Sequence, residues 1–207
     1  PEQLSTSPIS GTKTLGGGNS KTFMVEFSDG SKGVFKLPLA KEWTEEVPVG
    51  GDIIREVAAY EVAKLVGMQD MVPVTTFRTV DGLPGVKGSQ RGSLQAFVSG
   101  ADPAKMVDDD AAFDGERDRR RAAVCDAMIG MLDRHNGNWM VRRSDGKLVL
   151  IDHGLSFPTT GYFRTRGFIK REEASLLTDE DRAPWRGTWP TIQAQLEAVG
   201  LDRKAVS

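Results

Sequence analysis

The chain has 207 residues, enough to bury one substantial core or two small lobes. Its 39% hydrophobic and 27% charged content is that of an ordinary globular protein, and a net charge of −2 with a pI near 5.8 argues against a general nucleic-acid binder. No apolar run approaches the roughly 20 residues of a membrane-spanning helix, and no signal peptide is legible.

Residues 1–10, rich in Ser, Thr and Pro, read as a flexible lead-in. The start at Pro1 fits a processed chain or a piece of a larger or exported one. Three strands follow: Lys13–Leu15, the alternating Thr22–Phe27, and Gly33–Leu37 after the turn at Ser28-Asp-Gly30. Residues 38–51 read as a loop. Asp52 is expected to cap a helix that runs to Leu65 and stops at Gly67, with Ile53, Val57, Tyr60 and Leu65 on one buried face. Val72–Val80 and Ser93–Val98 read as two more strands. Ser99–Pro103 breaks the pattern and marks a boundary between an N-lobe, about 11–98, and a C-lobe, about 104–207.

Residues 104–132 read as mostly helical, with the acidic run Asp108–Asp110 and the basic run Arg119–Arg121 on solvated faces. The single cysteine, Cys125, cannot close an internal disulfide. Its apolar neighbours predict a buried helical thiol, which fits a reducing, cytoplasmic compartment. Trp139–Arg143, the turn Ser144–Lys147 and Leu148–Ile151 form a hairpin. Residues 155–176 are irregular, then charged. A last helix runs from about Thr191 to Ala198, with Trp185 and Trp189 expected to pack the C-lobe.

The chemistry concentrates around the hairpin. Asp133-Arg-His-Asn-Gly-Asn138 leads into it, and Asp152 follows it. A hairpin brings its ends together, so Asn138 and Asp152 should sit side by side. In kinase chemistry one Asp orients the attacking hydroxyl, while an Asn and a second Asp hold the magnesium ions that bridge the ATP phosphates. Asp133, Asn138 and Asp152 have that spacing. Asp133 occupies the base position, yet His135 has the more suitable unperturbed pKa, so either can be the proton acceptor. Arg134 is expected to pair with a local carboxylate or carbonyl, and His153 to shape a turn.

Lys36, between apolar neighbours on the third strand, can reach the α- and β-phosphates if a carboxylate holds it. Glu56 can supply that carboxylate, with Glu61 as the competing candidate on a different helix face. In the loop Gly16-Gly-Gly-Asn-Ser-Lys21, the amides of Gly17 and Gly18 can cradle phosphate oxygens, with Ser20 and Lys21 adding a hydroxyl and a charge. One cysteine and two isolated histidines make a structural zinc site improbable.

Taken together, these residues resemble the phosphatidylinositol 3- and 4-kinase superfamily, whose members carry Asp-Arg-His-x-x-Asn and then Asp-Phe-Gly. The closer resemblance, over roughly residues 33–157, is to a compact bacterial PI3/4-kinase-like group, carried by Arg55-Glu-Val-Ala-Ala-Tyr60, Val72-Pro-Val-Thr75 and Ile151-Asp-His-Gly-Leu-Ser-Phe157. It implies an α+β, two-lobed protein-kinase-like fold with a small antiparallel N-lobe sheet plus helix and a reduced, mostly helical C-lobe. It also implies ATP bound with Mg²⁺ or Mn²⁺, with Gln95, Ala96 and Phe97 lying along the adenine. His153 departs from the usual Phe, and only about 55 residues follow Asp152, few for a lipid kinase's second lobe.

The acceptor is the open question at this level. Arg164, Arg166, Lys170 and Arg171, interleaved with aromatics, can hold an anionic acceptor. The reading is an ATP-dependent phosphotransferase acting on a protein hydroxyl. The alternatives are a lipid or small-molecule kinase, AMP transfer in place of phosphate, and a non-catalytic nucleotide-binding pseudokinase that serves as an interaction module.

Overall fold

A computed structural model describes residues 2–16, 20–41, 45–106, 115–160, 179 and 187–205. Five antiparallel strands, β1 (Ile9–Leu15), β2 (Thr22–Phe27), β3 (Lys32–Lys36), β4 (Thr75–Val80) and β5 (Gln90–Ala96), form one sheet in the order β1-β2-β3-β5-β4. A second, three-stranded sheet is built from β6 (Ala101–Pro103), β7 (Trp139–Arg142) and β8 (Leu148–Leu150). The helices are α1 (Glu2–Thr6), α2 (Gly51–Leu65), α3 (Gly115–Met128) and α4 (Trp189–Ala198).

Strand alternation gives the large sheet two different faces. Phe23, Val25, Phe27, Phe35, Leu37 and Leu94 fill the outer face with Val80 and Leu83. Thr22, Met24, Val34 and Lys36 therefore point the other way. A second core gathers α2, residues 66–72, α3, β7, β8, Phe157 and α4.

α2 is expected to bury one face, but it is buried nearly all round, including Asp52, Arg55, Glu56 and Glu61. It lies between the large sheet and α4, which leaves it no solvent stripe. Ala58, Ala59, Tyr60, Val62 and Ala63 of this helix belong to the second core, so the helix that follows the first three strands joins the two halves. Asp52 is not the cap. The helix is preceded by Gly50 at φ 71°, with no side-chain capping bond, and Asp52 sits in the first turn.

Residues 2–10 are not a loose lead-in. α1 is anchored by Arg78, which donates to the carbonyls of Leu4 (2.5 Å) and Ser7 (2.6 Å), and β1 begins at Ile9. Ala101–Pro103, expected as a break, pairs instead with the edge of β7. Arg121 is not a plain solvated cation, since it holds Asp70 at 2.7 Å and ties α3 to the loop after α2. Cys125 is buried as expected. Trp189 is 45% exposed rather than packed. Trp185 and Asp108–Asp110 lie outside the described residues.

Candidate active site

β3 delivers Lys36 to the inner face of the large sheet. Close strand approach allows this: a Cβ on Gly92 would meet the Lys36 carbonyl at 2.2 Å and the Phe35 ring at 2.7 Å. The Lys36 ammonium ion-pairs with Glu56 Oε1 and with Asp152 Oδ1, the latter at 2.9 Å. Burial pulls this ammonium down, but Glu56 and Asp152 outweigh burial and hold its pKa above the ordinary lysine range. Glu61 is not the partner. It pairs with Lys64 at 2.5 Å and accepts from Gln195 at 3.1 Å.

Two neighbouring residues on α2 grip the chain after Asp152. Glu56 Oε2 accepts the His153 amide at 3.1 Å. The buried Arg55 guanidinium donates to the carbonyls of Ser156 (2.7 Å), Phe157 (3.0 Å) and Gly51 (3.2 Å). Gly154 permits the approach, because a Cβ there would meet Asp52 Cβ at 3.3 Å. The His153 ring is fully buried, and neither ring nitrogen has a hydrogen-bond partner among the described residues. Burial, then Arg134 and Lys36, push its pKa well down, so it is neutral near pH 7. Asp152 adopts φ 57°, a left-handed backbone that turns its carboxylate away from the strand it follows.

The hairpin pairs Trp139 with Leu150, and the Ile151 amide donates to the Asn138 carbonyl at 3.0 Å. Asn138 and Asp152 therefore stand at adjoining strand ends. Asn138 Nδ2 donates to the Asp133 carbonyl at 2.8 Å, which leaves its side-chain oxygen as an acceptor. Asp152 keeps its second oxygen beyond the contact to Lys36. Burial pushes the Asp152 carboxyl up, but Lys36, Arg134 and His135 together hold it below the ordinary carboxylate range. One carboxylate and one amide oxygen are the sparse donor set with which magnesium is bound when phosphates complete its shell. Among the described residues, no cluster of three or more His, Cys, Asp or Glu forms a self-sufficient metal cage.

His135 Nδ1 accepts the Gly137 amide at 2.9 Å, and its Nε2 lies 3.7 Å from Asp133 Oδ2. With Nδ1 accepting, the neutral ring carries its proton on Nε2, directed at Asp133.

Ser20 donates to Asp52 Oδ2 at 3.4 Å, and Lys21 is exposed. Gln95 is buried on β5, and its Nε2 donates to Thr75 Oγ1 at 3.0 Å. The amides of Ala96 and Phe97 are used within the protein, by the carbonyls of Val74 (2.8 Å) and Lys32 (3.0 Å). Both residues also line a cavity of about 510 Å³ with Leu4, Phe27 and Lys32. Ala96, across from Gly33, shares the face of Leu94, whereas Gln95, across from Val34, shares the face of Lys36. Gly17, Gly18, Arg164, Arg166, Lys170 and Arg171 lie outside the described residues.

Sequence reasoning missed three supports of this site. Asp52 accepts from both the Leu39 amide (3.0 Å) and Ser20, and so ties those two residues to α2. Its i, i+4 spacing to Glu56, which puts the two on one helix face, was the available signal. Arg55 left only its place beside Glu56. Asp126, which holds Arg134, left no local signal.

The sequence profile of the phosphatidylinositol 3- and 4-kinase family matches residues 86–188, a stretch just under half of the chain that holds Asp133, His135, Asn138 and Asp152. No curated protein matches the sequence significantly. Three solved structures are similar over 99% of this chain. The Golgi casein kinase aligns with a TM-score of 0.65 at 16% identity over 69% of its own chain. The same kinase with Mn/ADP bound gives 0.66 at 16% identity over 70% of its chain. Hydra Fam20 with sugar gives 0.65 at 12% identity over 82% of its chain. The chain thus has a kinase-like fold, and the segment that carries its clustered Asp, His and Asn side chains is similar to the phosphatidylinositol 3- and 4-kinases.

Proposed function

We propose that the chain is an ATP-dependent phosphotransferase whose acceptor is a protein hydroxyl. The observation that carries this reading is Lys36 held between Glu56 and Asp152 at the mouth of the hairpin that also presents Asn138. Phosphoryl transfer is catalysed mainly by positioning and charge neutralisation, and these groups supply both.

In this reading Lys36 binds the α- and β-phosphates as a point charge. Glu56 holds the ammonium in place. Asn138 and Asp152 would hold a divalent metal, which neutralises phosphate charge when bound. Asp133 orients the acceptor hydroxyl and takes its proton. His135 is poorly placed to do so, since its one lone pair is engaged by Gly137. Its Nε2 instead lies 3.7 Å from the Asp133 carboxylate. Ser20, held by Asp52, lies beside the phosphates. The kinase-like fold with Mn/ADP in one neighbour supports a nucleotide and a divalent metal in the equivalent cleft.

The protein acceptor is supported by the likeness of the fold to a structure described as a casein kinase. The family match favours a second reading, a phosphoinositide acceptor. The test is γ-labelled ATP with Mg²⁺ or Mn²⁺, offered in parallel to a cell-extract protein pool and to phosphoinositide vesicles. Label in protein is expected. Label in lipid alone replaces the acceptor, and label in neither pool removes the phosphotransferase reading.

A further inference from the structure

Gln95 stands directly across the sheet from Val34, and Lys36 from Ser93. Cross-strand partners project to the same side, so Gln95, Val34 and Lys36 share the inner face, with Met24 beside Val34. Met24 and Val34 are only partly buried and form an apolar wall. Two residues along a strand span about 7 Å. A nucleotide whose phosphates meet Lys36 thus lays its base on Met24 and Val34, with Gln95 at its edge.

The orientation of the Gln95 amide follows from its neighbours. The Thr75 hydroxyl donates its one proton to the Pro73 carbonyl at 2.9 Å. Toward Gln95, 3.0 Å away, the same oxygen can only accept, so the NH₂ end must face Thr75. The carbonyl end is turned the other way. It has no hydrogen-bond partner among the described residues and is not sealed from solvent. The neighbouring amides of Ala96 and Phe97 are already spent on Val74 and Lys32.

We propose that Gln95 is a base-selecting residue. Its oriented carbonyl accepts a hydrogen bond from an amino group at C6 of a purine, and it repels the carbonyl oxygen of a 6-oxopurine at the same place. Thr75 is the positioning residue that forbids the amide to turn over. This selection rests on the reading of the cleft as a nucleoside triphosphate site.

The test is calorimetric binding of ATP, purine riboside triphosphate (no C6 substituent) and inosine triphosphate (oxygen at C6) to the whole chain, with Mn²⁺ present. Affinity should fall in that order, with ATP favoured over inosine triphosphate roughly 10–100-fold, the scale of one hydrogen bond lost and one acceptor left opposed. Thr75→Val frees the amide to turn and should bring the ATP-to-inosine ratio toward one, mainly through tighter inosine triphosphate binding. Gln95→Leu should also flatten the ratio, by weakening ATP. A purely structural Gln95 would leave the ratio unchanged in both variants. Equal binding of the three nucleotides by the wild-type chain overturns the role of Gln95 while the nucleotide site stands. Binding of none of them overturns the nucleotide site itself.

Discussion

Arg134 and Asp126 form an ion pair with no solvent exposure on either side chain, 2.8 Å from Nη2 to Oδ1. The guanidinium's remaining donors are directed at the hairpin. Nη1 bonds the carbonyl of Asn138 and that of Ile151, the latter at 2.7 Å. One cation thus clasps the two strand ends that carry Asn138 and Asp152, and α3 supplies the anion that keeps it there. A buried pair of this kind is poor evidence for stability, but its geometry fixes two separate chain segments.

Asp126→Ala should therefore cost about 3–5 kcal/mol, because it strands a buried guanidinium. The double variant Asp126→Leu/Arg134→Met should regain most of that stability in chemical denaturation. It should not regain Mn²⁺-dependent nucleotide binding, since the carbonyls of Asn138 and Ile151 have lost their common donor. A double variant that binds nucleotide like the wild type would show the clasp to be structural only.

Lys36 and Glu56 should behave as one unit. Lys36→Ala and Glu56→Ala are each expected to lower kcat/KM, and the double variant to lose much less than the sum, with a coupling of roughly 0.5–3 kcal/mol. The reason is that Glu56 Oε1 helps to hold the Lys36 ammonium in place. Additive losses in steady-state kinetics would separate the two residues.

Asp152→Ala should fold and should lose at least about 100-fold in turnover, the scale on which removing one transition-state charge stabiliser acts. It should also abolish the difference in ATP affinity measured by calorimetry with Mg²⁺ and with EDTA. In the wild type that difference should be large, since Asp133 and Asp152 repel the phosphates unless a cation intervenes. Equal ATP affinity in EDTA and Mg²⁺ for the wild-type chain would remove the metal from the site.

The Cys125 thiol should be inert in the folded protein. Burial, then the nearby Asp126, push its pKa up to about 12. That leaves on the order of one thiolate in 10⁴ at pH 8. Iodoacetamide should label the chain only after denaturation, as read by intact mass. Rapid labelling of the native protein would place Cys125 at the surface.

How far the site was legible depended on whether each residue's partner was local. The hairpin was readable because Ser144–Lys147 is a turn and its flanks alternate, and this alone puts Asn138 beside Asp152. Lys36 and Glu56 were readable because a lysine on an apolar strand followed by a helical Glu is a short-range pattern. The α+β two-lobed kinase-like fold was implied by the family resemblance that Asp133–Asn138, Asp152–Gly154 and Arg55–Tyr60 carry. Asp52 was misread as a cap because Ser/Thr/Asp/Asn before a helix is the usual signal. Here Gly50, at φ 71°, sets the helix start, and Asp52 is free to serve Ser20 and Leu39. α1 was misread because its anchor, Arg78, lies more than seventy residues away. Asp126 and Arg55 act on carbonyls and on a guanidinium brought in by tertiary packing, and no local composition announces such contacts.

The central claim is that Lys36, Asn138 and Asp152 direct transfer of the terminal phosphoryl group. The most direct measurement incubates the whole chain, and its Asp152→Ala variant, with a protein pool and Mn²⁺, using α-labelled and γ-labelled ATP in separate reactions. The account predicts label in protein from γ-labelled ATP alone, and none from either nucleotide with the variant. Label from α-labelled ATP would mean AMP transfer, and equal γ-labelling by wild type and variant would contradict the assignment of the site.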